Sequence, residues 1–372
     1  MTPEFAKARR VVVKIGSSLL VEPESGELRA RWLDALASDV ARMRERKQEV
    51  ILVSSGAIAV GRRRLALARR QLKLEEKQAA AAVGQIELAH AYQEALRRHG
   101  VAVAQILLTI DDTEARRRYL NARSTINTLL AMGTVPVINE NDTVATAEIR
   151  FGDNDRLAAR VAAMMTADQL VLLSDIDGLY TRNPLTDRDA EFVPLIRALT
   201  PEIEAMAGAP GTADGSGGMV TKIAAAKIAL GAGCHMAITN GRIEHPLLAI
   251  EDGARCSWFV SSASPRAQRK HWIAGALKPA GRITVDEGAC AALMNGKSLL
   301  PAGVLKVGGA FERGDAVIVE DRAGREVARG LITYSAADAE RIIGQKSREI
   351  ERILGYRGRE EMIHRDDLVL SE

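Results

Sequence analysis

Aromatic residues are scarce, 3% of a 372-residue chain. The core must therefore be aliphatic, and a base-stacking surface would have few rings to use. Cysteine is scarcer still: Cys234, Cys256 and Cys290 are odd in number, far apart and without a Cys-x-x-Cys spacing. That excludes a disulfide framework and a zinc knuckle and fits a reducing compartment. No run reaches the roughly 18 uninterrupted apolar residues of a membrane-spanning helix. The apolar segment after the basic N-terminus is broken by Lys14, and no small-residue cleavage site follows, so the chain is expected to be soluble, unprocessed and cytoplasmic. Neither sign of charge dominates: 51 Lys and Arg against 48 Asp and Glu leave a net charge of +3, too little to imply a nucleic-acid partner. His90, His99, His235, His245, His271 and His364 are scattered without metal-ligand spacing, and the sequence assigns no metal ligands.

What is present is the balance of a soluble globular protein, long enough for two or three domains. Apolar, β-branched runs at Val11–Ile15, Val50–Val53, Val101–Leu108, Val135–Ile138, Gln169–Leu173 and His235–Thr239 predict strands. Helical spacing over Arg31–Arg46, Glu75–Arg98, Asn121–Met132, Arg156–Thr166 and Thr221–Leu230 fills the intervals. The alternation predicts an α/β domain with a mainly parallel central sheet covered by helices, over residues 1–262. Ser261-Ser262-Ala263-Ser264-Pro265 and Pro279-Ala280-Gly281 mark residues 263–280 as a linker. Beyond it, short strand-like pieces at Arg282–Val285, Ala316–Val319, Glu326–Gly330 and Leu331–Tyr334 predict a small, mainly β domain with a tail, residues 281–372.

Ligands of open α/β sheets bind beyond the carboxyl ends of strands. Val-Val-Val-Lys14-Ile-Gly16-Ser17-Ser18 ends a strand with a cation and a turn whose bare amides suit phosphate oxygens. An ammonium inside an apolar strand needs a partner. Ser54-Ser55-Gly56-Ala57 leads from a strand into a helix, with Ser54 a candidate cap. Asn139-Glu140-Asn141-Asp142 and, further on, Gly152-Asp153-Asn154-Asp155 gather acceptors that suit the ammonium of an α-amino acid; turn and cap chemistry is the plainer reading of the second group. Ser174-Asp175-Ile176-Asp177-Gly178 ends another strand. Finally, Ser216-Gly217-Gly218-Met219-Val220-Thr221-Lys222 opens a helix with glycines and a lysine, an anion site that matches neither the Walker A spacing nor the dinucleotide fingerprint. Two lysines, two glycine loops and carboxylates at strand ends suit phosphoryl transfer, which needs positioning and charge neutralisation above all.

In this order of motifs, to which Lys77-Gln78-Ala79-Ala80-Ala81-Ala82-Val83-Gly84-Gln85 and Leu354-Gly355-Tyr356 belong, the chain resembles the amino-acid kinase family. Within it, the likeness is to the members that phosphorylate the side-chain carboxylate of free glutamate with ATP, the first step of proline synthesis. The resemblance implies Lys14 and Lys222 on the transferring phosphoryl group, oriented by Asp155. It implies Ser54, Asn139, Asp142, Asp153 and Asn154 around glutamate. Around ATP it implies Lys14, Gly16, Ser174, Asp175 and the segment Ser216, Gly217, Gly218, Met219, Val220, Thr221 and Lys222. Where family members often carry Thr-Asp, this chain has Ser174-Asp175, keeping hydroxyl and carboxylate. Also implied are Mg2+, a homo-oligomer, feedback inhibition by proline, handover of the unstable acyl phosphate to the glutamyl 5-phosphate reductase that follows, and a second domain of the PUA type. A kinase of the same fold acting on aspartate, N-acetylglutamate, carbamate or a nucleotide is the nearest rival. RNA binding by the C-terminal domain is a rival of another class; residues 281–372 carry 14 basic and 16 acidic side chains, a balance that argues against it.

Overall fold

The structure is a computed structural model that describes residues 2–22, 25–67, 71–144, 154–207, 218–275 and 278–371. The chain divides into two compact units, Met1–Pro265 and Arg266–Glu372.

Among the described residues of the first unit, eight strands form one sheet. In chain order the strands are β1 (Arg10–Ile15), β2 (Glu49–Ser54), β3 (Val103–Leu108), β4 (Val135–Glu140) and β5 (Gln169–Ser174), then β6 (Leu179–Tyr180), β7 (Phe192–Val193), β8 (Leu195–Ile196), β9 (His235–Asn240) and β10 (Cys256–Phe259). The sheet order is β3-β4-β2-β1-β5-β9-β10-β8, with β6 and β7 paired apart from it. From β3 to β9 every pairing is parallel. β10 pairs antiparallel with β9, and β8 runs parallel to β10.

Why β1, β2 and β5 read as unbroken apolar runs is visible in their packing. Val11, Val13 and Ile15 point into one core layer and Val12 into the other, as Val50 and Leu52 oppose Ile51 and Val53, and Val171 and Leu173 oppose Leu170 and Leu172. Both faces are covered, so a period of two in side-chain direction leaves no polar face.

The helices of this unit are α1 (Ser17–Leu20), α2 (Ala30–Glu45), α3 (Ala57–Arg64), α4 (Leu74–Arg97), α5 (Ile110–Glu114), α6 (Arg116–Ala131), α7 (Asn154–Met165), α8 (Pro201–Ala205), α9 (Met219–Gly231) and α10 (Pro246–Glu251). Buried residues of α2, α3 and α4 join the first core layer, and those of α7 and α9 join the second. Small residues let α7 and α9 approach: Ala158, Ala159 and Ala162 lie buried in the same cluster as Ala225, Ala226 and Ala229. α3 and α4 come closer still. A Cβ on Gly61 would stand 1.7 Å from the Ala80 carbonyl oxygen, and one on Gly84 would stand 1.9 Å from that of Ala57.

Several sequence expectations shift by a turn or fail. The helix expected from Asn121 begins at Arg116. Ser54 does not cap α3: it ends β2, and Gly56, at φ 102°, occupies the cap position with no side-chain bond. That left-handed angle is one glycine adopts at little cost. The expected linker, 263–280, contains the helix α11 (Pro265–Gly275).

In the second unit, β11 (Gly281–Val285), β12 (Val304–Gly309), β13 (Ala316–Glu320), β14 (Glu326–Leu331) and β15 (Leu368–Leu370) form a sheet in the order β12-β11-β13-β14-β15. Leu331–Tyr334 is not a separate strand, since β14 ends at Leu331. Its core gathers Ile283, Val285, Val317, Val319, Ile332 and Tyr334 with Met362, Ile363 and Leu368 from the tail. The tail thus closes the sheet, held by a buried ion pair of 2.6 Å between Arg269 and Asp367.

The glycine contact between α3 and α4 yields the first prediction. Gly61→Ala should destabilise the purified protein through overpacking by about 1–3 kcal/mol or more, seen as a lower melting temperature. Gly231→Ala, where nothing stands within 4 Å of the new Cβ, should be neutral or slightly stabilising. Equal melts for Gly61→Ala and wild type would show that these helices do not meet through their backbones.

Candidate active site

Parallel register aligns the strand ends. Ile15 pairs with both Ser54 and Leu173, and Ser174 with Asn240, so the turns after β1, β2, β5 and β9 open along one edge of the sheet. The strand order places β2 and β4 on one side of β1 and β5 and β9 on the other. This reversal of winding creates the crevice in which such folds bind ligands.

Strand alternation decides where Lys14 goes. Two residues after Val12, it faces the α7 and α9 layer, where Asp155 stands in the first turn of α7. Lys14 Nζ lies 2.6 Å from Asp155 Oδ1, and Lys222 Nζ lies 3.1 Å from Oδ2. Thr221 Oγ1 is 2.9 Å from the same Oδ2 and 2.8 Å from the Gly218 carbonyl oxygen. Lys14, Asp155 and Lys222 are 8%, 1% and 6% exposed. Burial pushes the Asp155 carboxyl upward, but the charges and hydrogen bonds of Lys14 and Lys222 outweigh it and hold the pKa far below the usual carboxylate range. Two ammoniums on one carboxylate leave a buried net charge of +1. Beside them, Met219 and Val220 open α9, where helix amides have no carbonyl behind them.

A second cluster lies between the ends of β2 and β4. Asn154 Nδ2 donates toward the Ser54 carbonyl (2.8 Å), Ser55 Oγ (2.8 Å) and Asn139 Oδ1 (3.0 Å). Asn139 Nδ2 donates to Gln85 Oε1 at 2.7 Å, while its Oδ1 accepts from the Glu140 amide at 2.9 Å. Ser54 Oγ shares a hydrogen bond of 3.0 Å with the Tyr92 hydroxyl. Asn154 Oδ1 is buried and has no hydrogen-bond partner among the described residues. Asp142, two residues past β4, is 9% exposed, and burial raises its pKa to about 6.

The residues expected from sequence separate as follows. Lys14, Asp155, Thr221 and Lys222 meet in the ion cluster, and Ser54, Asn139 and Asn154 in the amide cluster. Ser174 Oγ donates to Asp175 Oδ1 at 3.2 Å, and the exposed Asp175 lies 3.9 Å from Arg242 rather than in the lysine cluster. Gly16 sits where a Cβ would come 3.9 Å from Lys14 Nζ. Asp153, Ser216 and Gly217 lie outside the described residues. Sequence reasoning assigned no role to Gln85 or Tyr92. Both stand on the buried face of α4 with Ala81, Leu88, Ala95 and Leu96, and the available signal was a glutamine at a core position of an apolar helix.

The family model of the amino acid kinase family matches residues 9–240, and that of the PUA domain matches residues 281–354. The chain belongs to the amino acid kinase family, with a C-terminal PUA domain. Its relatives include the glutamate 5-kinase of Paramagnetospirillum magneticum, 64% identical over 371 residues and covering 100% of both chains. The glutamate 5-kinase of a Bradyrhizobium species is 60% identical, covering 100% of this chain and 98% of its own. Among solved structures, the carbamate kinase of Giardia lamblia is 16% identical with a TM-score of 0.49, covering 69% of this chain and 100% of its own.

The raised pKa of Asp142 gives the second prediction. Its folded value, about 6, lies above its ordinary 3.8. Below the ordinary value both states are protonated and the site costs nothing; the cost of burying the charge grows between the two values and is complete above pH 6. Asp142→Asn should therefore raise the melting temperature at pH 7–8, with the gain vanishing near pH 4. A gain that persists undiminished at pH 4 would show that burial of this charge is not its cause.

Proposed function

We propose that this chain transfers the γ-phosphoryl group of ATP to the side-chain carboxylate of L-glutamate, giving L-glutamyl 5-phosphate and ADP, the glutamate 5-kinase reaction and the first step of proline biosynthesis. The observation that carries the reading is the buried Lys14–Asp155–Lys222 cluster, of net charge +1, in a chain 64% identical over its whole length to a glutamate 5-kinase.

The chemistry follows from the charges. A carboxylate is already ionised and nucleophilic near neutral pH, so the reaction needs no general base. One oxygen of the glutamate side chain attacks the γ-phosphorus, the bond to the β-phosphate oxygen breaks, and ADP leaves with that electron pair. Negative charge spreads over the equatorial oxygens in between. Lys14 and Lys222 meet that charge, and Asp155 holds their ammoniums in place beforehand, so little reorganisation accompanies the reaction. Gly16, Ser174, Asp175 and the segment from Ser216 to Lys222 line the nucleotide pocket. Ser54, Asn139, Asp142, Asp153 and Asn154 hold glutamate, with Asp142 and Asn154 Oδ1 as acceptors for its ammonium.

Among the described residues no group of three His, Cys, Asp or Glu side chains is placed to hold a metal ion. We assign Mg2+ to the phosphates of ATP, since this ion is commonly bound through substrate phosphates and water with one or two carboxylates. When bound, it neutralises part of the phosphate charge.

The test is ADP release with L-glutamate, L-aspartate and N-acetyl-L-glutamate. L-Glutamate should be preferred, because acetylation leaves buried acceptors unsatisfied and aspartate's shorter chain misplaces the reacting carboxylate. Lys222→Ala should lower kcat by about 10²–10³ with a smaller effect on the KM for glutamate. Comparable specificity constants for the three acids would defeat the reading.

The division of labour we propose assigns the chemistry to residues 1–262, joined by residues 263–280 to a PUA-like domain and tail, 281–372, that tunes oligomerisation, metal dependence or response to proline. We assign the enzyme to the cytoplasm as a homo-oligomer that passes its product to a reductase. A fragment of residues 1–263 should melt cooperatively and retain glutamate-dependent ADP release. A folded, inactive fragment would show that the second domain completes the active site.

A further inference from the structure

Asn154 has two N–H bonds and three acceptors within reach: the Ser54 carbonyl, Ser55 Oγ and Asn139 Oδ1. Turning its amide over would set oxygen against oxygen at Ser54 and Asn139, so its orientation is tied to that of Asn139. Asn139 in turn has its Oδ1 between the Glu140 amide and Asn154 Nδ2, and its own Nδ2 on Gln85 Oε1. Turned over, it would oppose nitrogen to both donors and oxygen to Gln85. The sequence Gln85, Asn139, Asn154 is therefore a polarised relay of side-chain amides, and its far end is the buried Asn154 Oδ1, which has no partner among the described residues. Gln85 is 9% exposed. It reaches Asn139 from α4 because Gly84 beside it has no Cβ to keep α4 away from α3.

We infer that Gln85 is a positioning residue for substrate selection: by accepting from Asn139 Nδ2 it holds Asn139 and, through it, Asn154 in the orientation that offers the substrate a carbonyl oxygen. A buried acceptor takes a donor and rejects a ligand lacking one, because the acceptor is then left without a partner. With the carboxylate of Asp142, such an acceptor makes this end of the pocket selective for an ammonium. Gln85 does not touch the substrate. It acts on the amino-group end only, and the lysine cluster that meets the phosphoryl group shares none of its hydrogen bonds.

This inference rests on the glutamate reading, and the test separates the two. Initial rates are measured with L-glutamate and with glutarate, which has the same two carboxyl groups and no amino group. The variants are wild type, Gln85→Met, Gln85→Glu, Asn139→Ala and the double variant Gln85→Met with Asn139→Ala, each checked by a thermal melt. Gln85→Met should raise the KM for glutamate about 5- to 10-fold, the worth of one hydrogen bond, with kcat and the KM for ATP within twofold of wild type. Its preference for glutamate over glutarate should narrow by the same factor. Gln85→Glu keeps an acceptor for Asn139 Nδ2 and should retain more of that preference than Gln85→Met. The double variant should be no worse than Asn139→Ala alone, since Gln85 acts through Asn139. Additive losses, an unchanged glutamate-to-glutarate ratio in Gln85→Met, or a parallel fall in kcat and in affinity for both substrates would overturn the relay. Should Gln85→Met not fold, an unchanged ratio in Asn139→Ala would overturn it equally. Wild type that does not turn over glutamate at all refutes the parent reading instead.

Discussion

The ion cluster of Lys14, Asp155 and Lys222 is the constraint on which the rest of the site depends. Three charged groups, each less than a tenth exposed, come from a strand and two helices that lie far apart in the chain. Taking such charges out of water costs several kcal/mol per ion, and a buried ion pair is commonly no more stabilising than apolar residues of the same size. The arrangement therefore makes better sense as a prepared electrostatic environment than as a source of stability. It needs β1 buried on both faces, so that Lys14 has no route to water, and it needs α7 and α9 pressed together through alanines, so that one carboxylate reaches both ammoniums.

The strand order then sorts the chemistry into two halves. On the β5 and β9 side of β1 lie Lys222, the α9 amides and Ser174. Toward β2 and β4 lie Ser54, Asn139 and Asn154, with Asp142 beyond β4, rich in oxygen acceptors. Lys14 stands on the strand between them, and its ammonium is held by Asp155. The close approach of α3 and α4 through Gly61 and Gly84 serves the acceptor half, since it lets Gln85 and Tyr92 reach Asn139 and Ser54 from a helix that carries no catalytic group.

The second unit shows the same dependence on distant contacts. Its sheet is closed by Leu368–Leu370, pairing with β14, and its core takes in Met362 and Ile363. No motif marks the chain after Arg359, and its strand is only three residues long. Its place becomes evident only when the edge of β14 is seen to need a partner.

Much of the first unit was legible because its signals are local. Unbroken β-branched runs mark strands buried on both faces, glycine and hydroxyl residues mark the turns that follow, and an ammonium inside an apolar strand announces that a partner must exist. Those features are set by neighbours within a few residues, so the sequence alone determined the six parallel strands and Lys14 and Lys222 as candidates, while Asp155 was singled out by the family resemblance. It did not determine that Ser54 would bond Tyr92 instead of capping α3, that Gln85 would meet Asn139 across 54 positions, or that Asp175 would stay exposed beside Arg242. Those outcomes turn on which side-chain oxygen ends up within hydrogen-bond distance of which nitrogen, and helix crossings and strand order decide that. Tertiary structure alone fixes them, because a hydrogen bond is sensitive to fractions of an ångström while a sequence pattern specifies only a face and a period.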